Sequence, residues 1–193
     1  QAPAAPAHLA FVDGGATLER EGQAETAASG MPLVPGDRLR TTRGRVEVLF
    51  PDGSALDVDE FADIELQSTT LLRLTSGRVM LIVAGVSDPA NAVRYQVDTP
   101  VASALTDGPG EYRIAWLSGP GETELAAFRG AASLSTETGS TAVGAGERTL
   151  ARDLLAPSLP LPFNSARFDA FHRWSFTRRD ARLGTASMRY LPR

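Results

Sequence analysis

The chain has 193 residues, of which 42% are hydrophobic and 22% are charged, and its formal net charge is −4. This composition is typical of a folded globular protein and not of a disordered one. The sequence contains no cysteine and no lysine, and all 19 basic residues are arginine. Catalysis by a thiolate or a lysine Schiff base and zinc binding by cysteine are therefore excluded.

The first seven residues, Gln-Ala-Pro-Ala-Ala-Pro-Ala, are typical of the flexible stretch that follows a removed secretion signal. We therefore predict a flexible mature N-terminus over residues 1–7 and a periplasmic or extracellular protein, with a truncated cytosolic chain as the alternative. No apolar run approaches the ~20 residues that a membrane-spanning helix requires. The sequence predicts no transmembrane segment.

Turn signals recur at short intervals over residues 8–150, for example at Pro35-Gly36 and Ser76-Gly77. The runs between them are too short for helices and alternate with a period of two. In Arg45–Phe50 this alternation places Val46, Val48 and Phe50 on one face of a strand. Many short strands separated by turns predict an all-β domain over residues 8–150.

A weak internal echo is present in this region. Arg43-Gly-Arg-Val-Glu-Val48 resembles Ser76-Gly-Arg-Val-Met-Leu81, and Arg129–Leu134 repeats part of the pattern. True repeats would predict stacked solenoid rungs. The alternative is that strand–turn–strand segments simply reuse glycine and valine, and the sequence leaves both possibilities open.

The last part of the chain differs in composition. Residues 151–163 hold three prolines and predict an extended connector. Asn164 or Ser165 is then expected to cap a helix that runs to about Leu183, within a tail of residues 164–193.

Charge is divided unevenly between these regions. Residues 151–193 hold eight arginines and three aspartates, a net charge of +5. Residues 1–150 hold 11 arginines and 20 acidic residues, a net charge of −9. An acidic body and a basic tail favour either docking of the two parts or an external partner for the tail.

Arginine and aromatic residues interleave in the tail, which is a composition typical of protein interfaces. The tentative protein-interaction residues are Phe168, Phe171, Arg173, Trp174, Arg178 and Arg179. One alternative is that the aromatic side chains cover an open end of the β-domain while the arginines extend to solvent. Contact with an anionic membrane surface is another. The acidic body argues against nucleic acid.

No catalytic, cofactor or metal site is predicted. The acidic run with Asp52, Asp57, Asp59 and Asp63 is the best candidate for calcium, but it lacks the spacing of an EF-hand loop. A solvated strand face is therefore favoured for it. The two histidines, His8 and His172, are not accompanied by a Gly-x-Ser-x-Gly elbow. A carboxylate-dependent hydrolase remains as an alternative, although no pair of acids is singled out.

The order and spacing of several motifs resemble the FecR-type domain. The resemblance rests on Pro35–Thr41, Gly44–Val48, Asp52-Gly-Ser54, Leu74–Val79, Tyr95–Val101, Gly110–Ile114, Phe128-Arg-Gly130 and Val143–Glu147. The tail, from Phe171-His-Arg-Trp174 to Pro192, looks like the extension of a secreted subset of such proteins. The resemblance implies a short-stranded β-sandwich or solenoid-like domain of the bacterial periplasm or cell envelope, best known from anti-sigma regulators of iron-siderophore uptake.

We therefore expect a non-enzymatic, exported cell-envelope protein that binds another macromolecule as a sensor, scaffold or assembly subunit. The expected partner is an envelope protein or a second copy of the chain, through strand edges or the tail. Sigma-factor regulation is not expected, because the sequence shows neither the anti-sigma helices nor the membrane helix of those regulators. The main alternative is a carbohydrate- or peptidoglycan-binding module in which Trp116, Tyr112 and Tyr95 form a stacking platform.

Overall fold

The computed structural model describes residues 6–85, 91–153 and 155–188. Within these residues the chain forms fifteen β-strands and one α-helix, which confirms the all-β class. It divides into two compact units, residues 1–163 (the β-domain) and residues 164–193 (the C-terminal unit). The first strand begins at Ala7, and residues 1–5 of the predicted flexible N-terminus lie outside the described residues.

The strands of the β-domain are β1 (Ala7–Arg20), β2 (Gln23–Thr26), β3 (Pro32–Leu33), β4 (Arg38–Leu49), β5 (Ala55–Val58), β6 (Asp63–Leu66), β7 (Leu71–Val83), β8 (Gln96–Asp98), β9 (Ser103–Thr106), β10 (Gly110–Leu117), β11 (Glu122–Arg129), β12 (Ala132–Thr136), β13 (Gly139–Val143), β14 (Glu147–Arg152) and β15 (Leu161–Pro162). The helix of the C-terminal unit is α1 (Ala170–Met188).

Three long strands, β1, β4 and β7, organise the first half of the β-domain. β4 pairs antiparallel with β1 on one side. On its other side it pairs with β6 near its start and with β5 near its end. Both short strands also pair with β7. β5 and β6 therefore lie end to end between β4 and β7, joined by residues 59–62, which we call the crossover segment.

The second half of the β-domain branches from β7. Leu71–Arg73 at the start of β7 run parallel to β8, whereas Gly77–Val83 pair antiparallel with β10. One branch continues from β8 through β9 and β12 to β13. The other continues from β10 through β11 and β14 to β15. Strand β7 thus links the first half of the sheet, through β5 and β6, to both branches of the second half, through β8 and β10.

The core is built by the alternation that the sequence predicted. Val46 and Val48 of β4 and Phe50 directly after it are buried, as are Val79 and Leu81 of β7. Burying one side chain of this size contributes roughly 1.5–3 kcal/mol relative to leaving it exposed. The sheet is therefore held together by apolar packing as well as by its backbone hydrogen bonds.

The proline-rich segment, predicted as a connector over residues 151–163, is bonded to the β-domain, and Ala151 and Arg152 belong to β14. The Ser158 amide donates to the Leu150 carbonyl at 2.8 Å, and the Leu150 amide donates to Ser158 Oγ at 3.1 Å. Further along, Leu161 and Pro162 pair with β14 as the short strand β15. Because proline has no amide hydrogen to donate, a proline-rich last strand is a poor template for adding another strand.

The helix begins later than the sequence suggested. Its cap is Asp169, whose Oδ1 accepts a hydrogen bond from the His172 amide at 2.8 Å. The prediction of a cap at Asn164 or Ser165 was wrong. Asn164 Oδ1 instead accepts from the Ala166 amide at 3.1 Å in a local turn, which competes with helix formation.

Candidate functional site

Asp59, in the crossover segment, lies between two arginines on different strands. Arg45 Nε of β4 donates to Asp59 Oδ1 at 2.7 Å, and Arg78 Nε of β7 donates to Asp59 Oδ2 at 2.5 Å. The Asp59 side chain is only 8% exposed, so these ion pairs are screened less than pairs on the surface. One carboxylate thereby ties β4 to β7 at the gap between β5 and β6.

The backbone of the crossover segment is bonded on both sides as well. Thr41 Oγ1 donates to the Asp59 carbonyl at 2.5 Å and accepts from the Ala62 amide at 2.9 Å. Ser76 Oγ of β7 donates to the Phe61 carbonyl at 3.0 Å. The conformation of the segment is therefore set by β4 and β7 together.

Glycine is required where β7 passes this segment. Gly77 has φ +79°, and a Cβ at this position would lie 2.6 Å from the Cα of Ala62. Gly44 occupies the matching position on β4, and a Cβ there would lie 2.5 Å from the Asp13 carbonyl oxygen. The three-residue motifs that these glycines begin, Gly-Arg-Val on each strand, flank β5 on its two sides. The sequence echo thus marks two equivalent positions around β5.

The acidic run is not the solvated strand face that the sequence favoured. Asp57 is 0% exposed because β5 is buried on both of its faces, and Asp59, in the crossover segment, is 6% exposed. Asp63 accepts from Arg38 Nε at 2.6 Å and from Arg40 Nε at 3.0 Å. The carboxylate oxygens of Asp59 and Asp63, which a calcium ion would have to bind, thus accept hydrogen bonds from arginines. Among the described residues, no group of three acids or histidines could hold a metal ion.

A second carboxylate lies between two arginines further along the sheet. Glu124 of β11 accepts from Arg113 of β10 at 3.0 Å and from Arg148 of β14 at 2.9 Å. Arg113 also lies 5.5 Å above the ring of Phe128, whose ring meets that of Phe163 edge-on at 4.9 Å. This cluster joins three neighbouring strands and the end of the proline-rich segment.

One pair of buried acids in the sheet is closed to a substrate. Glu47 and Asp57 are cross-strand partners on β4 and β5, so two carboxyl groups do lie side by side. They are 1% and 0% exposed, and neither lines the polar surface groove that includes Asp98 and Glu137. A glycosidase-type mechanism needs its two acids on either side of a bound substrate. This pair offers a substrate no access.

Two of the three rings proposed as a sugar-stacking platform belong to the core. Tyr95 and Tyr112 are 1% and 0% exposed. Tyr95 donates its hydroxyl to Asp52 Oδ2, and Tyr112 donates to the Gly108 carbonyl, both at 2.9 Å. Burial raises the pKa of both tyrosines above the ordinary value. Only Trp116 is partly accessible, so the platform does not exist as predicted.

The β-domain carries a polar groove of about 600 Å³. Its ionisable lining residues are Arg73, Asp98 and Glu137, and hydroxyl groups come from Thr75, Thr99, Ser103, Ser135 and Thr136. No aromatic ring is found among the described residues that line it. The groove therefore lacks the flat apolar surface on which protein sites commonly stack a sugar ring.

The six tail residues proposed for protein interaction lie on or next to α1. Phe168 precedes the helix, and Phe171, Arg173, Trp174, Arg178 and Arg179 lie within its first three turns. The Phe171 and Trp174 rings stack with centroids 6.5 Å apart. Arg173 Nη1 donates to the Phe168 carbonyl at 3.1 Å.

Two further rings join this group. Phe168 lies 4.0 Å from the ring of His172 and 6.0 Å from that of Phe176. Arg179 lies 4.3 Å above the Phe176 ring, a cation–π contact. The C-terminal unit thus holds a stacked pair, Phe171 and Trp174, and a cluster of Phe168, His172, Phe176 and Arg179. His172 belongs to the cluster as a ring packed beside Phe168.

Comparison with known proteins identifies the family to which the chain belongs. The family model described as FecR protein matches residues 37–133. The chain belongs to the FecR family. No curated protein matches the chain.

Two solved structures from Parabacteroides distasonis ATCC 8503, each described as a "putative anti-sigma factor", share the fold. The first has a TM-score of 0.55 and 12% sequence identity, and the match covers 66% of this chain and 60% of that one. The second has a TM-score of 0.54 at the same identity, covering 65% and 59%. This chain therefore spans about three fifths of the length of these neighbours. In the described part of this chain, no helix has the length and hydropathy needed to cross a lipid bilayer.

Proposed function

We propose that this chain is a non-enzymatic, exported cell-envelope protein that acts by binding another protein, as a sensor, scaffold or assembly subunit. The observation that carries the proposal is membership in the FecR family over residues 37–133. The description of the two structural neighbours as anti-sigma factors agrees with a signalling role. The family resemblance seen in the sequence supports the proposal of an envelope location.

The chemistry of the β-domain supports a binding role over an enzymatic one. Asp59 and Glu124 are each engaged by two arginines from two different strands. Such groups stabilise a sheet, and removing one partner of a buried ion pair is costly. The charges of Asp59 and Glu124 therefore serve the fold.

Helix α1 is the best candidate for the binding surface. Tryptophan, tyrosine and arginine are the residues that most often dominate binding energy at protein interfaces. On α1, Trp174 and Arg179 each contact another ring of the same unit. Such contacts restrict the side chains before a partner arrives, which lowers the entropy that binding must overcome.

Capture from a cell-envelope extract tests this proposal. The full chain would be immobilised and crosslinked to its partners, which quantitative mass spectrometry would then identify. The test variant combines Trp174→Ala, Arg178→Ala and Arg179→Ala, and the control is Arg94→Ala, an exposed arginine of the β-domain. We expect the triple variant to lose about tenfold or more of one defined partner, and the control to retain it.

Two outcomes would contradict the proposal. Equal capture by the wild type and the triple variant would show that the partner does not bind through these residues of α1. A wild-type chain that retains no protein would exclude a stable protein partner in that extract. Protease accessibility of the chain in intact and in permeabilised cells would test export separately.

A further inference from the structure

Phe61, in the crossover segment, combines a strained backbone with an exposed aromatic ring. Its φ is +58° and its side chain is 60% exposed. Among the described residues, the other non-glycine residues with positive φ are Glu21 and Asp153. Glycine, asparagine and aspartate adopt this left-handed conformation readily, whereas a bulky residue there is an outlier.

The fold dictates the backbone of Phe61 but not its ring. The Phe61 amide donates to the Thr42 carbonyl at 3.0 Å, and the Phe61 carbonyl accepts from Ser76 Oγ at 3.0 Å. Asparagine or glycine would make both of these bonds with less strain. A phenylalanine at this position costs stability and places apolar surface in water. Strain of this kind, held by surrounding bonds, is typical of functional positions.

The same domain carries an apolar pocket of suitable size for such a ring. The pocket has a volume of about 190 Å³. It is lined by Pro6, Ala7, Leu33, Pro35, Phe50, Pro51, Leu66 and Thr69. For comparison, an apolar protein cavity of about 150 Å³ binds benzene. Phe61 is not among the lining residues, so its own ring does not fill this pocket.

We propose that the Phe61 ring of one copy of this chain inserts into the Pro6–Thr69 pocket of a second copy. The two surfaces are different patches of the chain, so the contact is heterologous and builds a ring or a filament rather than a two-fold dimer. A single buried ring supports only weak association, with dissociation constants of about micromolar to millimolar.

Salt distinguishes this contact from a charge-driven one. The chain has a net charge of −4, so two copies repel each other weakly, and added salt screens that repulsion. Association through Phe61 therefore strengthens as salt is raised. Association between a basic tail and an acidic body would weaken under the same conditions.

The experiment uses three variants of the full chain in analytical ultracentrifugation. Phe61→Asn removes the ring and suits the left-handed backbone. Thr69→Glu places a carboxylate at the pocket, on an exposed residue. Leu117→Asn, at a leucine that is 42% exposed elsewhere, is the matched control for lost apolar surface. Thermal unfolding of each variant reports folding, and Phe61→Asn is expected to melt at the same temperature as the wild type or higher.

The predicted result has two parts. The wild type and Leu117→Asn associate as concentration rises from about 1 μM to about 1 mM, whereas Phe61→Asn and Thr69→Glu each stay monomeric. Mixing these two variants restores a 1:1 complex, because one keeps the pocket and the other keeps the ring. A monomeric wild type, an associating Phe61→Asn variant, or a mixture that stays monomeric would each overturn the proposal. The proposed function does not depend on this result, since its readout is capture of a different protein by α1.

Discussion

Arginine is used differently in the β-domain and in the C-terminal unit. In the β-domain, Arg45 and Arg78 converge on Asp59, and Arg113 and Arg148 converge on Glu124. In the C-terminal unit, Arg173 donates to a backbone carbonyl and Arg179 lies over an aromatic ring. Arginine therefore joins strands through shared carboxylates in the β-domain, whereas in the C-terminal unit it contacts a backbone carbonyl or an aromatic ring.

This difference distinguishes arginines that stabilise the fold from arginines that we propose bind a partner. A guanidinium group that shares a buried carboxylate with another strand cannot be removed without loosening the sheet. A guanidinium group stacked on a helix surface can be removed at little cost in stability. Mutations in the two regions should therefore separate stability from binding.

The largest expected effect is at the shared carboxylate. Asp59→Ala leaves Arg45 and Arg78 facing each other without their common partner. We expect the free energy of unfolding to fall by about 4 kcal/mol, as when one partner of a buried ion pair is removed. Chemical denaturation measures it, and Glu137→Ala, an exposed acid, should change it by less than about 0.5 kcal/mol. Similar losses for both variants would show that Asp59 does not hold the strands.

The glycine beside this carboxylate provides the second test. Gly77→Ala combines an unfavourable φ with a clash against Ala62, and we expect a loss of about 3 kcal/mol. Gly36 also has a positive φ, +97°, but a Cβ there would meet no atom within 4 Å. Gly36→Ala should therefore cost only about 1 kcal/mol, the strain alone. Equal losses at the two glycines would mean that the close approach at Gly77 is unimportant.

Alkaline pH probes the buried tyrosines of the β-domain. Because burial raises the pKa of Tyr95 above its ordinary value of 10, the hydroxyl ionises first in the unfolded chain. Its contribution to stability is thus full below about pH 10 and declines above it, by at most about 1.4 kcal/mol per pH unit. Tyr95→Phe should make this decline shallower. The substitution should also lower the free energy of unfolding at pH 7 by about 1.5 kcal/mol, because it removes the hydroxyl that donates to Asp52. An unchanged alkaline slope would contradict the assignment.

The smallest expected effect concerns α1. Asp169→Ala removes the helix cap and should weaken the start of the helix by about 1 kcal/mol. Amide hydrogen exchange should become faster over the first turn of α1 and remain unchanged in β4 and β7. Asn164→Ala, which lies outside the helix, is the control. Faster exchange in the strands as well would show that the two regions are not energetically separate.

The sequence predicted local features of the fold well. Alternation located the buried side of β4, and the turn at Pro35-Gly36 has the positive φ that its glycine implied. Both depend on neighbours within a few residues. The resemblance to the FecR family, confirmed by the match over residues 37–133, came from the order of such turns and strands.

What the sequence did not reveal depends on distant partners. Asp59 looked like a solvated acid because its arginines lie on β4 and β7, 14 and 19 residues away. The helix start was misplaced because Asn164, Ser165 and Asp169 are all good caps, and only the structure shows which one is used. Phe61 was overlooked inside the acidic run, although an aromatic residue in a turn between two short strands was a usable signal.

The most direct test of the account compares capture and stability in the same two variants. Partner capture and the free energy of unfolding would be measured for Asp59→Ala and for the triple variant of Trp174, Arg178 and Arg179, alongside the wild type. The account predicts that Asp59→Ala lowers stability yet still captures the partner while folded, and that the triple variant keeps its stability and loses the partner. A triple variant that captures the partner as well as the wild type would contradict it.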